Sequence, residues 1–340
     1  MIKTQIFHKK DISDVVKLLQ EDQLVAFPTE TVFGLGGNAF SDKACRAIYE
    51  AKGRPQDNPF IIHIASLDRL HEVAMNIPAI AYDLFHEFSP GPLTIILPKA
   101  LSISPVATAN LPAVAVRIPS HPTAQALLQA CPFPVAAPSA NRSGRPSPTN
   151  TGMVMQELQG AIAGILDGDA SIHGLESTVI SCMDEENITL LRAGAIPLEI
   201  LQDFLSDKDL SIQIQTSPKE LASPGTHHPH YQPAYPLRLV HQIDLPWLIH
   251  HHEHEKLGIL CLFPLQNHDL NLPERWQIKI FRNVEDFARQ LYHALIEFEK
   301  QGVQIVYAQF PSRSGLGLAL CDRLQRAATQ KSNLYGREIL

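Results

Sequence analysis

The sequence lacks any apolar run long enough to cross a bilayer. A membrane-spanning helix needs about 18 or more consecutive apolar residues, and the 340-residue chain has no such run. Its first segment, MIKTQIFHKKDISDVVKLL, also lacks an apolar core followed by a small-residue cleavage site. We therefore expect a cytoplasmic protein without a membrane partner.

Cysteine is scarce, and the motifs of several enzyme classes are missing. No CxxC pair occurs among the five cysteines, so neither a disulfide framework nor a zinc knuckle is predicted, and we expect reduced thiols. The chain has no GxxxxGK[ST] phosphate loop and no GxSxG nucleophile elbow. These absences argue against a Walker-type NTPase and against a serine hydrolase.

Positive charge is in the minority. Lys and Arg number 28 against 35 Asp and Glu, which gives a net charge of −7, and all of the net acidity lies in residues 1–205. Binding along a nucleic-acid backbone needs clustered Lys and Arg, so stable bulk nucleic-acid binding is not expected. The composition, 45% hydrophobic and 19% charged, is that of a globular protein.

The first 205 residues alternate short apolar runs with helical patterns, which predicts an α/β catalytic domain. Leu24–Phe27 and Phe60–Ile64 are predicted strands, and Ser41 is positioned to cap a helix that runs to about Ala51. Of the 26 prolines, 12 fall between Pro90 and Pro148. They predict long loops on one side of the sheet, where sites are commonly built.

The alternation of apolar runs and helical patterns ends at residues 206–237, a proline-containing stretch with little hydrophobic periodicity. It predicts an extended linker. From residue 238 to 340 an α/β rhythm returns, with Leu257–Leu262 and Gln304–Ala308 as strands and Val284–Gln301 as an amphipathic helix. This part is predicted to be a smaller Rossmann-like domain.

Two polar segments could bind an anion. In AKGRPQDNPFIIHI, Lys52 and Arg54 flank Gly53, although basic residues also favour the last turn of any helix. PSANRSGRPSPT combines hydroxyl groups and an amide with Arg142 and Arg145 directly after an apolar run, and it could equally be an ordinary Ser/Pro turn. The basic content favours an anion site in the second segment.

Other patterns are weaker. Gly34, Gly36 and Ala39 match GxGxxA, but no acidic residue is clearly placed for a dinucleotide, so a nicotinamide cofactor is not favoured. The run HHHEHE (250–255) lacks HExxH spacing and predicts a solvated, partly helical charge run rather than a metal site.

Strand ends supply two further arginines. Arg117 and Arg192 each end a predicted strand, where a guanidinium can bind a carboxylate or phosphate through two hydrogen bonds, and Ser177 lies at the start of another strand. Any one of these residues, taken alone, is more often an exposed residue without a binding role than a ligand-binding residue.

Together, the motifs resemble the YrdC family in its long two-domain form, the threonylcarbamoyl-AMP synthases. The resemblance rests on PTETVFGLGGNA, KGRPQDNP, SAN, SGRPSPT, STV, LRAG, SPG with HYQP, and SGLGLALCDRLQRAA, in that order along almost the whole chain. It implies a twisted mixed α/β sheet with a basic cavity, then a linker that straps the active site and a smaller Rossmann-like domain.

The resemblance also implies a reaction. A nucleotidyltransferase of this family joins L-threonine, bicarbonate or CO2, and ATP into L-threonylcarbamoyl-adenylate and pyrophosphate. A downstream transferase complex then modifies the adenosine beside the anticodon of ANN-reading tRNAs. Mg2+ is implied as a companion of the ATP phosphates, with no protein side chain as a metal ligand and no organic cofactor.

The family motifs suggest a role for each matching residue. Lys52 and Arg54 are implied as catalytic residues. The implied ATP-binding residues are Lys52, Arg54, Asn58, Ala113, Ser139, Asn141, Ser147, Arg192 and Tyr231. The implied L-threonine-binding residues are Thr31, His63, Arg117, Ala137 and Ser177. No protein nucleophile is needed, in agreement with the missing elbow.

Three positions depart from the family pattern. Phe33 stands where Tyr is common, THHP stands before the HY pair where a basic residue is usual, and the C-terminal motif reads DRL where Asn usually precedes Arg. Two other functions stay open at this point. One is a carbamoyl-adenylate-forming enzyme of the hydrogenase-maturation type, which usually carries zinc-finger parts, and the other is a non-catalytic RNA-binding module.

Overall fold

The computed structural model describes residues 2–184, 187–215, 230–262 and 272–328. The chain forms two compact units. The first consists of Met1–Ser143 and Ser147–His228, and the second of Gly144–Pro146 and Pro229–Leu340. Both units combine helices with a β-sheet, as the alternating sequence pattern predicts.

The first unit has six α-helices and eleven strands in its described part. The helices are α1 (Ile12–Gln20), α2 (Asp42–Lys52), α3 (Ala79–Phe88), α4 (Pro122–Ala130), α5 (Thr151–Leu158) and α6 (Leu198–Ser206). The strands are β1 (Gln5–Phe7), β2 (Val25–Phe27), β3 (Gly34–Asn38), β4 (Ile61–His63), β5 (Leu93–Pro98), β6 (Ala113–Arg117), β7 (Val135–Ala136), β8 (Gly164–Leu166), β9 (Thr178–Ser181), β10 (Ile188–Arg192) and β11 (Ile212–Ile214).

These strands form one mixed sheet in the order β1-β8-β2-β3-β7-β4-β6-β5-β9-β10-β11. In its central part β4 is parallel to β6, β6 antiparallel to β5, and β5 parallel to β9. One face packs into a large apolar core that includes Ile62, Ile95 and Val116. Ile61, Ile96 and Ala115 alternate with them along the strands and belong to a much smaller cluster on the other face.

Local sequence signals fix several boundaries. The Ser41 side chain accepts a hydrogen bond from Ala44 N at 3.2 Å and begins α2, as predicted. Gly53 ends that helix with φ +60°, a left-handed conformation that glycine adopts without a Cβ penalty. Helix α4 begins with Pro122, whose missing N–H would be unpaired at this position in any case. The predicted strands before and after α2 are confirmed as β2 and β4.

The second unit contains a four-stranded sheet. Its strands are β12 (Leu237–Val240), β13 (Leu257–Leu262), β14 (Gln277–Phe281) and β15 (Ile305–Gln309), and its helices are α7 (Leu245–His251), α8 (Val284–Lys300) and α9 (Gly317–Ala327). All strand pairs are parallel, in the order β12-β15-β13-β14. Phe287, Leu291 and Leu295 of α8 are buried, which confirms the predicted apolar face of this helix.

The glycines of GLGGN form strand β3 rather than a turn into a helix, which agrees with the expectation that the GxGxxA match is not a dinucleotide loop. Gly36 allows close packing here, because a Cβ would lie 3.0 Å from the Phe27 ring. Strand β11 pairs with β10, so the first unit extends beyond residue 205. Residues 216–229 of the predicted linker lie outside the described residues.

Candidate functional site

A row of residues crosses five neighbouring strands of the first unit in register. His63 pairs with Arg117, Arg117 with Thr94, Thr94 with Val179, and Val179 with Arg192. Paired residues on adjacent strands point to the same face of a sheet, and this is the face with the small apolar cluster. The register shifts between Leu190 and Arg192. Such a bulge re-aims a side chain and is common beside active sites.

Arg117 is the centre of this row. It ends β6, as predicted, and is only 4% exposed. Its Nη2 donates to Glu30 Oε1 at 2.7 Å, its Nη1 donates to Thr31 Oγ1 at 2.8 Å, and its Nε donates to Gly91 O at 3.3 Å. A guanidinium has five N–H donors. One N–H on each Nη therefore has no hydrogen-bond partner among the described residues, and this pair of donors suits a carboxylate.

The turn after β2 holds the partners of Arg117 in place. Thr29 Oγ1 donates to Val32 O at 2.6 Å and accepts from the backbone N–H groups of Thr31 and Val32 at 3.3 Å. The hydroxyl oxygens of Thr29 and Thr31 lie 2.9 Å apart. This hydroxyl-closed turn presents Glu30 and Thr31 side by side to the guanidinium.

Burial and the charge of Arg117 shift the pKa values of Glu30 and His63. Burial raises the pKa of Glu30, but the charge and hydrogen bond of Arg117, together with the backbone N–H groups of Glu30 and Ser120, outweigh burial and leave that pKa below its ordinary value. Burial, assisted by the Arg117 charge, lowers the pKa of His63 to about 3. At neutral pH the site therefore contains a carboxylate, a guanidinium and a neutral imidazole.

Arg192 and Ser177 meet at the other end of the row. Arg192 Nη2 donates to Ser177 O at 2.9 Å and to Ser177 Oγ at 3.1 Å. The Ser177 hydroxyl also lies 2.7 Å from Thr94 Oγ1, which connects it to the row. Gly194 makes this approach possible, since a Cβ there would lie 2.3 Å from the carbonyl carbon of Ser177. Thr94 is a contact that the sequence analysis missed.

Lys52 ties the end of α2 to the PSAN loop. Its Nζ donates to Ser139 O at 2.5 Å and to the carbonyl oxygen of Asn141, while Ser143 N donates to Lys52 O at 2.8 Å. The side chain is buried, and burial together with the Arg54 charge lowers the pKa of Lys52 well below its ordinary value. Glu157, a buried carboxylate on α5, opposes this shift. Two of the three Nζ donors are occupied by carbonyl oxygens.

Arg54 and Asn58 close the turn that follows α2. Arg54 Nε donates to Asn58 O at 3.0 Å, and its Nη2 donates to Asn58 Oδ1 at 2.5 Å and to Pro59 O at 3.1 Å. The guanidinium carbon lies 5.7 Å from the centre of the Phe60 ring. The turn places two buried cations, Lys52 and Arg54, within electrostatic reach of one another.

Hydrogen bonds join the motif segments of the first unit to one another. Ser139 bridges to Gly34, Ala140 N donates to Phe33 O at 2.8 Å, and Ala137 N donates to Ile61 O at 2.9 Å beside His63. Ser147 Oγ donates to Glu176 Oε1 at 2.7 Å, next to Ser177. The loop with Ser139 and Ser147 is thereby linked both to the Lys52 segment and to the strand row.

The chain is similar to known proteins over almost its whole length. A family model described as "Telomere recombination" (Sua5, YciO and YrdC proteins) matches residues 17–194. A model for the C-terminal domain of threonylcarbamoyl-AMP synthase matches residues 196–329. The threonylcarbamoyl-AMP synthase of Bacillus subtilis is 39% identical over 323 residues, which cover 93% of this chain and 92% of that protein. The chain belongs to the threonylcarbamoyl-AMP synthase family.

Two further comparisons support the assignment. The threonylcarbamoyl-AMP synthase of Pyrococcus abyssi is 38% identical over 319 residues, covering 91% of this chain and 92% of that protein. A crystal structure of P. abyssi Sua5 complexed with L-threonine superposes with a TM-score of 0.87 at 36% identity, covering 96% of this chain and 98% of the other.

The family motifs suggest two more residues for ATP, Ala113 and Tyr231. Ala113 begins β6, at the opposite end of that strand from Arg117 and on the same face of the sheet. Tyr231 belongs to the second unit, where its ring stacks on Tyr292 at 5.3 Å and lies 5.4 Å from the guanidinium carbon of Arg323. The role of Tyr231 toward a nucleotide stays a prediction.

The family departures have structural counterparts. Phe33 is fully buried in the large apolar core, so the position holds a packing side chain. Arg323, in the DRL motif, is also fully buried and forms an ion pair with Asp322. The THHP segment lies outside the described residues. Glu30, Thr94, Glu157 and Glu176 were missed by sequence reasoning, although Glu30 and Glu176 each directly precede a residue that it had selected.

Metal-ligating clusters, paired thiols and membrane-spanning helices are all absent from the described part of the chain. Within it, no group of three or more His, Cys, Asp or Glu side chains is arranged to hold a metal ion. The five cysteines are buried and free, and burial raises the pKa of Cys45 to about 12. The His-rich run begins as the last turn of α7, where His251 stacks on Trp247. Every described helix is too short or too polar to span a bilayer.

Proposed function

We propose that this chain is a threonylcarbamoyl-AMP synthase, which makes L-threonylcarbamoyl-adenylate and pyrophosphate from L-threonine, bicarbonate or CO2, and ATP. The observation that carries the proposal is the buried Arg117, whose two spare N–H groups face no partner in the described residues, in a chain of this family. A guanidinium held by Glu30 and Thr31 is preorganised for the threonine carboxylate.

The chemistry requires no protein nucleophile. The ammonium group of threonine gives one proton to bicarbonate, which releases CO2 and water. The neutral amine then adds to the carbon of CO2 and loses a second proton to solvent, which gives a carbamate. A carbamate oxygen then attacks the α-phosphorus of ATP, and the bond from that phosphorus to the bridging oxygen breaks, so that pyrophosphate leaves with the electron pair. The enzyme must hold two anions together and stabilise the charge that develops on pyrophosphate.

The cations of the first unit divide this work. Arg117 binds the threonine carboxylate, with Thr31, His63, Ser177 and the Ala137 backbone around the amine and hydroxyl. Lys52 and Arg54 act on the triphosphate, and Arg192, which contacts Ser177, lies where the threonine and nucleotide parts meet. We propose that these groups line one basic cavity, completed on the nucleotide side by Asn58, Ala113, Ser139, Asn141 and Ser147.

Mg2+ enters this scheme with ATP. We propose that the phosphate oxygens themselves hold the ion, with no protein side chain as a metal ligand, since oxygen ligands suit Mg2+. When bound, the ion neutralises phosphate charge. Lys52 and Arg54 orient the phosphates in either case.

The remaining parts of the scheme concern the second unit and the product. From the family resemblance we propose that the segment 206–237 straps the active site, with Tyr231 over the nucleotide, and that it limits hydrolysis of the adenylate. The four parallel strands support a Rossmann-like domain at residues 238–340. A transferase complex acting on tRNA consumes the adenylate, which favours the cytoplasm as the compartment.

Pyrophosphate release tests the proposal. Purified protein with ATP is given bicarbonate and single amino acids, and release must depend on both L-threonine and bicarbonate. Release that ignores threonine would favour the carbamoyl-adenylate alternative, and no release with any amino acid would favour a non-catalytic role. Either result rejects the proposed function.

A further inference from the structure

One carboxylate oxygen of Glu30 is not paired by the hydrogen bond to Arg117. Its Oε1 accepts from Arg117 Nη2, but its Oε2 is buried and has no hydrogen-bond partner among the described residues. Leaving a buried carboxylate oxygen without a partner is unfavourable, and such atoms in folded proteins usually have a ligand, ion or water to meet them.

The backbone N–H groups of Glu30 itself and of Ser120 also act on the Glu30 carboxylate and lower its pKa, and the nearby side-chain donors are engaged elsewhere. The Thr31 hydroxyl accepts from Arg117 and lies against Thr29 Oγ1. His173 contacts Glu30 through the backbone, with its N–H donating to Glu30 O at 2.9 Å. The nearest histidine of the strand row, His63, is neutral at physiological pH because its pKa is about 3. The groups that face Glu30 therefore supply one cation, Arg117, and no second one.

The proposed substrate carries a cation of its own. If the carboxylate of an α-amino acid takes the two spare N–H groups of Arg117, its ammonium group lies one carbon away from that carboxylate. Glu30 Oε2 belongs to the carboxylate that already touches the same guanidinium. Arg117 and Glu30 thus form a buried plus–minus pair whose complement is a zwitterion with adjacent minus and plus charges.

We propose that Glu30 is a specificity-determining residue that accepts a hydrogen bond from the amine of the bound amino acid, so that the site selects α-amino acids over simple hydroxy acids. The inference rests on the proposed function, since it assumes that threonine binds at Arg117. Glu30 acts in recognition rather than as the proton acceptor, because its Arg117 contact makes it a weak base.

A second consequence separates this role from simple positioning of Arg117. Glu30 competes with a bound carboxylate for the positive charge of Arg117. Removing the Glu30 charge should therefore weaken a ligand that has an amine, and should leave unchanged or strengthen a ligand that has only a carboxylate. A residue that merely orients Arg117 would affect both ligands in the same direction.

Calorimetric titration of the full-length protein without ATP tests the proposal. The two probes are L-threonine and (3R)-3-hydroxybutanoate, which keeps the carboxylate and the hydroxyl but has no amine. Glu30→Gln is expected to weaken threonine binding by about 10- to 100-fold, the loss typical of one charged hydrogen bond. Binding of the hydroxybutanoate is expected to stay within about 3-fold or to become tighter, by the competition argument.

Two further variants serve as a charge-conserving comparison and as a control. Glu30→Asp retains the charge and should retain preference for threonine, which also gives a reading if Glu30→Gln does not fold. Glu72→Gln removes a carboxylate that pairs with Arg69 in the same unit and should leave both affinities unchanged. The proposal is overturned if Glu30→Gln loses the same affinity for both probes, or if it changes neither affinity. Both results leave the proposed function intact. Absence of threonine binding to the unmodified protein overturns both.

Discussion

Lys52 Nζ donates a hydrogen bond to the carbonyl oxygen of Ser139 at 2.5 Å and a second one to the carbonyl of Asn141. The family motifs suggest all three residues as ATP-binding groups, and the structure joins them directly. Lys52 therefore has two tasks. It fixes the loop on which Ser139 and Asn141 lie, and it keeps one N–H donor that the described residues do not use.

Lys52→Ala should abolish turnover while the fold stays intact. The substitution removes a cation from the proposed triphosphate site and releases the PSAN loop, so pyrophosphate release should fall by at least about 100-fold. Removal of the buried charge offsets part of the penalty of leaving two carbonyls unpaired. Circular dichroism checks the fold and a pyrophosphate assay checks activity. Normal activity in this variant would contradict the site assignment.

Arg117 and Glu30 should be strongly coupled in stability. Arg117→Met leaves the Glu30 carboxylate buried without its counter-charge, and breaking such a pair is expected to reduce the free energy of unfolding by about 3–5 kcal/mol. The double variant Arg117→Met with Glu30→Gln should recover at least half of that loss. Neither variant should bind threonine.

Denaturant titrations measure this coupling, with Arg46→Met as a control. Arg46 forms an exposed ion pair with Asp42, so its replacement should change the free energy of unfolding by less than about 1 kcal/mol. If the losses of unfolding free energy in the two single variants simply add up in the double variant, Arg117 and Glu30 are not coupled in stability.

His63 should make the protein less stable in mild acid. Its pKa is about 3 in the folded state, against 6.5 as the ordinary value. Below pH 6.5 the unfolded chain takes up a proton that folded His63 does not. The stabilisation is therefore complete above pH 6.5 and is lost as pH falls toward 3, by about 2 kcal/mol at pH 5.

Urea unfolding at pH 7.5, 6 and 5 checks this dependence. His63→Gln should flatten the change in unfolding free energy between pH 7.5 and 5, whereas His86→Gln should not, because His86 is exposed on α3. An identical pH dependence in both variants would show that His63 does not carry the effect.

Gly194→Ala should disrupt the contact between Arg192 and Ser177. A Cβ at this position would lie 2.3 Å from backbone atoms of Ser177 and Thr178, which cannot move as a side-chain tip can. The two strands must separate there, so we expect a lower melting temperature and a higher KM for threonine. Thermal unfolding and steady-state kinetics measure both, and an unchanged KM would argue against a threonine role for Ser177.

Local patterns in the sequence predicted much of the fold. The Ser41 cap, the end of α2 near Ala51 and the apolar face of α8 depend on residues within one or two turns, and all three are confirmed. The local pattern did not predict that the glycines of GLGGN form β3, because this strand packs closely against Phe27 and Val135 from other strands. That packing is not visible in a local pattern.

The candidate site was predicted residue by residue but not as a set of contacts. The motifs marked Arg117 and Thr31, yet the Arg117–Glu30 ion pair joins residues 87 positions apart and depends on the strand order. The same is true of Thr94, which reaches Ser177 only because β5 and β9 are neighbours. Parallel and antiparallel pairing across a sheet of eleven strands cannot be deduced from apolar periodicity.

The origin of the carbon in the product tests the account most directly. Protein incubated with ATP, L-threonine and 13C-bicarbonate is analysed by mass spectrometry immediately after mixing, before the adenylate hydrolyses. The account predicts a species that contains AMP, threonine and one 13C atom, formed in step with pyrophosphate and missing when threonine is left out. Pyrophosphate released without that labelled species, or an adenylate of threonine that lacks the label, would contradict it.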